Sequence, residues 1–169
     1  MRFVSLTLLV FASLAVSAQD TTELTRRNGF KDIKLGTHID SVKGTSFKKD
    51  IKEKNEFPTK LYTVDNPEYK TIGEVKVKKL ELKTYKDLIY EIDVTTEKDT
   101  RLMKGMVKSF GEPKYIVVTD TYNWVTEILS LTFKNHSKNE ILLTYRCYPV
   151  LKMMRADKGK KIDDIAEDF

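Results

Sequence analysis

The sequence predicts an α+β domain, in which an antiparallel sheet of about five to six strands carries two or three helices packed on one face. Two patterns support this fold class. Segments of alternating apolar residues follow one another closely, as at Tyr90, Ile92 and Val94, and such alternation is typical of antiparallel strands with one buried face. A segment with helical spacing, 100–110, separates one group of strands from the next, which disfavours a parallel doubly wound sheet.

The N-terminal segment has the composition of an export signal. The chain has 169 residues, and residues 1–18 combine an early Arg2, an apolar stretch and small residues up to Ala18. This layout predicts a signal peptide cleaved after Ala18, so the mature protein begins at Gln19 and resides in the periplasm or outside the cell. The apolar stretch is shorter than the roughly 20 residues that span a bilayer, so no transmembrane segment is expected in the mature chain.

The mature chain is interpreted as one domain with short extensions. Residues 19–28 predict a flexible lead-in, 29–150 a single α+β domain, and 151–169 a C-terminal linker with a short amphipathic helix. In this last segment Ile162, Ile165 and Phe169 recur at helical spacing. So short a helix is stable only when its apolar stripe docks, either on its own domain or on a partner.

Local signals place the first elements of the domain. A capping pattern predicts a short helix over 37–44, whereas 45–70 has no clear periodicity and remains unassigned. Alternation from Val75 predicts a strand with a bulge near Lys79. The polar pair at 86–87 predicts a tight turn into the next strand, which completes an antiparallel hairpin.

The second half begins with a helix and continues as strands. Asp99 or Thr100 caps the helix, and Gly111 followed by Pro113 ends it. A new set of strands starts at 115–118. Its continuation is predicted over 122–125, 128–133 and 141–148, with a connecting turn at 135–139.

Composition excludes several kinds of site. One cysteine and two histidines are too few for a disulfide framework or a His/Cys metal centre, so no metal or cofactor is expected. The net charge of +5 is carried mainly by lysine, whereas base and phosphate recognition favours arginine, so nucleic acid is not an expected partner. The spacing of Ser46 and Lys49 matches acylated serine enzymes but lacks their companion motifs, so no catalytic residue is assigned and an enzyme is not predicted.

Three surfaces are candidates for binding. Lysines on the solvated face of the hairpin could attract an anionic polymer or lipid headgroup, aromatic residues on the second strand set could stack on a ligand, and the tail stripe could dock on a partner. The candidate residues are Lys76 and Lys78 on the hairpin, Tyr122, Trp124 and Tyr145 in the aromatic set, and Ile162, Ile165 and Phe169 on the tail.

Several short motifs also resemble those of secreted bacterial domains. They are Gly29-Phe30 with Ile33-Lys34-Leu35-Gly36 and Asp40-Ser41-Val42, then Tyr85 to Tyr90, Phe110-Gly111-Glu112-Pro113 and Tyr122-Asn123-Trp124. In this order they resemble uncharacterised Bacteroidetes-type envelope domains and, more distantly, α+β domains of the β-lactamase-inhibitor-protein and small outer-membrane-assembly lipoprotein types. The resemblance covers about 29–148 and implies protein binding without catalytic residues. The chain lacks the lipidated N-terminal cysteine of the lipoproteins.

These observations predict an exported, non-enzymatic domain of the bacterial envelope that binds or scaffolds another protein. The alternative is a hydrolase inhibitor or a module that binds a small ligand or carbohydrate through an aromatic patch near Trp124. A third hypothesis is a weak hydrolase, which would need a deep pocket with converging reactive groups.

Overall fold

The computed structural model describes residues 22–53 and 57–167. The predicted signal peptide, its cleavage point after Ala18, and Phe169 lie outside the described residues. In the part that is described, no helix has both the length and the apolar composition needed to cross a bilayer.

The described chain contains short and long strands, three α-helices and three turns of 3-10 helix. The helices are α1 (Thr22–Arg27), α2 (Thr100–Phe110) and α3 (Tyr148–Ala166). The strands are β1 (Gly29–Phe30), β2 (Ile33–Lys34), β3 (Thr45–Glu53), β4 (Phe57–Val64), β5 (Thr71–Ile72), β6 (Val75–Tyr85), β7 (Leu88–Glu97), β8 (Lys114–Ile116), β9 (Thr121–Val125), β10 (Leu129–Ser137) and β11 (Glu140–Cys147). The 3-10 turns are Ile39–Ser41, Pro67–Tyr69 and Val117–Thr119.

Most strands belong to a single antiparallel sheet. Its order is β3-β4-β6-β7-β11-β10-β9-β8, β5 adds to β6, and β1 and β2 form a separate pair. The predicted fold class is therefore wrong. The described chain is mostly β, with eleven strands and a nine-stranded main sheet, and is not an α+β domain with helices packed along one face of five or six strands.

The sheet consists of two meanders joined at their last strands. The first runs through β3, β4, β6 and β7, the second through β8, β9, β10 and β11, and α2 connects them. The strands β7 and β11 pair antiparallel at the centre, where Val94 lies opposite Leu143. This central pairing merges the two meanders into one sheet with one continuous core.

The core follows the alternation of the strands. One row of paired residues crosses five neighbouring strands, and all of its members are buried; it consists of Leu82, Ile92, Tyr145, Leu131 and Trp124. The opposite face carries the polar residues that alternate with them, among them Lys83, Glu91 and Arg146.

Several local predictions are confirmed. The register of β6 on β7 shifts between Val77 and Lys79, where the bulge was expected. The turn at Lys86 and Asp87 places both residues at positive φ, of 50° and 61°, which is the backbone of a tight hairpin turn. Asp99 caps α2 by accepting a hydrogen bond from the backbone N–H of Arg101, and Gly111 ends this helix with φ of 74°.

Other local predictions are wrong. The lead-in over 19–28 contains a helix, α1, held to the core by the fully buried Leu24. The expected helix over 37–44 is a 3-10 turn capped by His38. The expected linker after residue 150 does not exist, because α3 begins at Tyr148 and anchors itself through Val150 and Met154.

The unassigned segment 45–70 forms β3 and β4. The two strands pair along their length, from Thr45 with Val64 to Glu53 with Phe57. The described side chains of β3 are exposed or half-buried, and its apolar residues are Phe47 and Ile51. A strand at a solvated sheet edge needs no apolar alternation, which explains why the periodicity did not reveal it.

Candidate functional site

A cleft of about 810 Å³ lies on the described part of the chain. It lies between α1 with β1–β2 on one side and α2 with the β5–β6 turn on the other. Leu143 and Tyr145 of β11 lie at its base. We call it the α1–α2 cleft. Its volume is in the range of small-molecule sites, about 300–1,000 Å³.

The base and walls of the α1–α2 cleft are apolar and aromatic. Phe30, Phe110 and Tyr145 contribute rings, and the centroids of Phe30 and Tyr145 lie 6.4 Å apart. Leu102 and Met106 line the cleft from α2 at helical spacing. These side chains would bury the hydrocarbon part of a ligand.

Gly29 allows the wall to form. Its φ is +145°, and a Cβ atom at this position would lie 2.1 Å from the carbonyl oxygen of Ile33. Only glycine tolerates that backbone and that approach, so Gly29 permits the tight β1–β2 pair that presents Phe30 to the cleft.

The rim of the cleft is basic. Five cations line it, against one carboxylate, Glu74; the cations are Arg26, Arg27, Lys31, Lys34 and Arg101. Arg101 binds Glu74 at 2.8 Å. Two further carboxylates bind these cations, Glu23 at Arg26 and Arg27 and Asp99 at Arg101, so the net potential of the cleft is only weakly positive.

The cations of α1 are oriented by one carboxylate. Arg26 and Arg27 donate to Glu23 at 2.7 and 2.6 Å, and they hold the pKa of Glu23 at about 2. The Arg27 guanidinium also lies 5.6 Å from the centroid of the Phe110 ring, a cation–π arrangement. Arg27 is thus fixed beside the aromatic wall.

The two lysines at the rim have backbone partners. Lys34 donates to the carbonyl of Arg27 at 2.6 Å, and Lys31 donates to the carbonyl of Glu68. Within the described residues neither lysine forms an ion pair with a carboxylate. Their charges therefore stay available to an anion in the cleft.

Tyr145 is the polar residue at the base of the cleft. Its side chain is only 6% exposed. Burial raises the pKa of its hydroxyl, an effect that the nearby Arg27 charge opposes, so the group is protonated at neutral pH. Among the described residues, the buried side-chain oxygen without a hydrogen-bond partner is that of Thr84 and not that of Tyr145.

A second polar cluster lies on the opposite face of the sheet. The buried Glu91 accepts from Lys83 at 2.6 Å and from Arg146 at 2.5 Å. Thr144 donates to Asp93 at 2.6 Å. Desolvation and the neighbouring Glu91 charge raise the pKa of Asp93 to about 6, whereas the two cations lower the pKa of Glu91. Glu91 has two cationic partners and Asp93 accepts a hydrogen bond, so the charged groups of this cluster have partners, as is typical of a structural network.

The aromatic residues predicted to form a binding surface near Trp124 do not lie together on one exposed surface. Trp124 is fully buried, stands edge-on to Phe110 with centroids 6.3 Å apart, and donates Nε1–H to the carbonyl of Gly111 at 2.7 Å. Tyr145 lies in the α1–α2 cleft, away from the surface. Tyr122 is 36% exposed and pairs with Tyr115 at 4.8 Å between centroids, so the three predicted residues do not form one patch.

The other candidate residues are exposed. Lys76 and Lys78 are solvent-accessible on β6, and Lys78 lies 3.3 Å from Glu97, which offsets its charge. Ile162 and Ile165 are 54% and 60% exposed on α3, so the tail stripe does not dock on the described part of its own domain. Phe169, the last member of the stripe, lies outside the described residues.

The described residues contain no group of three or more His, Cys, Asp or Glu side chains placed to hold a metal ion. Cys147 is buried, and desolvation raises the pKa of its thiol. His38 is exposed at the 3-10 turn Ile39–Ser41, and His136 is exposed near the end of β10.

No protein-family model, curated protein or solved structure matches this chain. The resemblance to secreted envelope domains therefore stays a prediction.

Sequence reasoning identified one residue of the cleft, Tyr145, and assigned it to the wrong surface. The rim cations Arg26, Arg27, Lys31 and Lys34 were missed, although they stand within nine positions of one another around Phe30. That cluster of charges around an aromatic residue was an available signal. Arg101 and Phe110 had no comparable signal, since their place opposite α1 depends on the tertiary fold.

Proposed function

We propose that this chain is an exported, non-enzymatic binding protein whose α1–α2 cleft holds a small amphipathic anion. The observation that carries the proposal is the contrast between an apolar, aromatic base and a rim with five cations and one carboxylate. A ligand with a hydrocarbon body and one carboxylate, phosphate or sulfate group matches both parts.

Physical chemistry favours such a ligand over a purely polar or purely apolar one. Burial of its hydrocarbon body supplies about 25 cal/mol for each Å² removed from water. The charged group would meet guanidinium and ammonium donors, which form the stronger class of hydrogen bond. A carbohydrate would leave many hydroxyls without partners against the apolar base, at a cost of about 1–3 kcal/mol each.

The composition of the cleft also supports binding in preference to hydrolysis by paired acids. Its one described carboxylate, Glu74, is bound to Arg101. Acid–base hydrolysis of the glycosidase type needs two carboxyl groups that face the substrate.

The test is displacement of a fluorescent fatty acid, dansyl-undecanoic acid, by unlabelled dodecanoate from the protein that begins at Gln19. We expect saturable binding that weakens with added salt. The variant Gly105→Leu is expected to reduce binding, because Gly105 lines the cleft and a side chain there projects into open space. Gly159→Leu is the matched control, since this helical glycine is also unobstructed but lies outside the cleft. Absence of binding by the wild-type protein would refute the proposal.

A second candidate function is protein binding at the β8–β9 edge, in line with the envelope role predicted from the sequence. The edge strand β8 and the following 3-10 turn expose apolar side chains, with Val117 77% and Val118 95% exposed. Tyr115, Ile116 and Tyr122 continue this surface. An extended segment of another protein could add to β8 as a further strand.

The edge hypothesis is tested by recovery of partners from an envelope extract with the mature protein and with Val118→Asp. We expect the substitution to remove a specific partner and to leave dodecanoate binding unchanged. Identical partner sets would exclude this edge as the interface. The predicted export is checked by mass spectrometry of the secreted or periplasmic protein, which should begin at Gln19.

A further inference from the structure

We propose that α3 mediates a weak self-association, in which its last turns, 160–167, pack antiparallel against the same turns of a second copy of this chain. The contact centres on two isoleucines, so that Ile162 of one copy lies against Ile165 of the other. This inference goes beyond the proposed function, because it concerns a surface outside the α1–α2 cleft and needs no ligand.

The end of α3 projects beyond the core. Met154 is the last buried residue of this helix, and every residue over 160–167 is exposed. At about 1.5 Å per residue, the helix continues for roughly 18 Å between Met154 and Ala166. Ile162 and Ile165 are therefore displayed on a helical surface that the described part of the chain does not cover.

The charges of this segment are balanced in number and separated along the helix. Three lysines come first and three acidic residues follow; they are Lys158, Lys160 and Lys161, then Asp163, Asp164 and Glu167. Because these charges sum to zero, a uniformly charged surface such as an anionic membrane gains no net attraction to the segment. The surface that matches it carries the same two blocks in reverse order, and an antiparallel second copy supplies them by two-fold symmetry.

The charge order also leaves the C-terminus of α3 without stabilisation of its own. The end of a helix carries a partial negative charge, which nearby cations stabilise and nearby carboxylates destabilise. The last turn of α3 contains no basic residue, and Asp163, Asp164 and Glu167 stand close to this end. In the antiparallel pair, the lysines of the second copy lie beside this end and offset its negative charge.

Helical spacing determines which side chains meet. At about 100° per residue, Ile162 and Ile165 lie roughly 60° apart, and Lys161 and Asp164 both flank this stripe on the side of Ile165. The same flank of the two helices meets in an antiparallel pair, so Lys161 of each copy faces Asp164 of the other. Neither Lys161 nor Asp164 forms an ion pair within the described residues, so both are available for this contact.

The contact is small, so the association is weak. Two helical turns on each side bury less than the roughly 1,200 Å² that stable interfaces need. We expect the dimer to form above about 100 µM, and the monomer to predominate at low micromolar concentration.

Sedimentation equilibrium of the protein that begins at Gln19 tests the proposal, over a range from about 20 µM to about 2 mM. The wild-type protein should form a reversible dimer that weakens with added salt. Lys161→Glu and Asp164→Lys each place like charges on the two sides of the contact, and each should weaken self-association by about tenfold. A mixture of the two variants should form a heterodimer of about wild-type affinity, because every facing pair then has opposite charges.

Controls separate this effect from general changes in charge and folding. Lys104→Glu makes the same charge reversal on the exposed surface of α2 and should leave the association unchanged. At low micromolar concentration, Lys161→Glu and Asp164→Lys should keep the wild-type thermal midpoint, since both positions are exposed.

Spin labels on Lys152→Cys report the orientation of the helices. The two labels of an antiparallel pair lie about 35 Å apart along the helix axis, whereas a parallel pair brings them side by side. Cys147 is buried, which protects it from the labelling reagent.

Three results would overturn the inference. The first is a wild-type protein that stays monomeric at the highest concentration, and the second is unchanged self-association of both charge variants, which would place the contact elsewhere. The third is a mixture of the variants that fails to associate, or labels that lie side by side, since either excludes the antiparallel pairing. None of these results bears on dodecanoate binding, so the proposed function is tested separately.

Discussion

The indole of Trp124 donates a hydrogen bond to the carbonyl of Gly111 at 2.7 Å and thereby ties the sheet to the end of α2. Trp124 lies on β9 and is fully buried, while Gly111 ends the helix that walls the α1–α2 cleft. The aromatic residue that the sequence suggested as a ligand platform is instead a support behind the cleft wall.

This relationship predicts the effect of Trp124→Phe. The substitution leaves the Gly111 carbonyl without its partner and creates a void beside Phe110, so we expect a loss of about 2 kcal/mol or more in the free energy of unfolding. Urea denaturation measures it. Tyr122→Phe on the same strand is the control and should change stability by less than about 0.5 kcal/mol. Equal effects of the two substitutions would contradict the supporting role of the indole.

Alanine substitution at two glycines beside the cleft should change the stability of the protein in opposite directions. Gly29→Ala places Cβ 2.1 Å from the Ile33 carbonyl oxygen at a φ of +145°, so we expect a loss of about 3 kcal/mol or more. Gly105→Ala meets nothing within 4 Å inside a helix, and should stabilise the protein by about 0.5–1 kcal/mol. Thermal unfolding of the two variants tests both signs, and destabilisation by Gly105→Ala would show that α2 needs that glycine.

The raised pKa of Asp93, about 6, predicts a pH dependence of stability. Aspartate in an unfolded chain titrates near 3.9, so the folded state binds this proton more tightly. The contribution of Asp93 therefore lowers stability as the pH rises from about 4 to about 6, and the loss is complete above this range. Glu91 acts in the opposite direction at lower pH, because its folded pKa is lowered.

The variant Asp93→Asn tests this dependence while keeping an acceptor for Thr144. Above pH 7 we expect the variant to exceed the wild-type protein by about 1–2 kcal/mol in unfolding free energy, with the difference vanishing near pH 4. Urea unfolding across this pH range provides the measurement, and Asp163→Asn on the exposed part of α3 is the control. A variant less stable than the wild-type protein at pH 8 would mean that the Asp93 charge is stabilising.

The C-terminal helix should divide into an anchored part and a dispensable part. Truncation after Gly159 removes exposed residues of α3 and should leave the thermal midpoint unchanged. Truncation after Leu151 removes the buried Met154 and also Asp157, which accepts from Tyr85 at 2.8 Å and from Lys86 at 2.6 Å. We expect this shorter chain to lose about 2–5 kcal/mol, the range for loss of a buried Met side chain. Equal stability of the two truncated chains would show that α3 does not contribute to the core.

The sequence by itself determined the elements that depend on interactions between residues close together in the chain. The cap at Asp99, the stop at Gly111, the bulge near Lys79 and the Lys86-Asp87 turn are each set by residues a few positions apart, so local patterns suffice to predict them. The alternation of β7 was equally clear, because one face of that strand is buried.

Tertiary structure decided the rest. The polar strand β3 forms because β4 pairs with it, and no pattern of neighbouring residues in the sequence predicts this pairing. The α1–α2 cleft unites Arg27 of α1, Phe110 of α2 and Tyr145 of β11, which are far apart in the chain. Their meeting depends on the pairing of β7 with β11, and such long-range contacts carry no signature in the spacing of neighbouring residues.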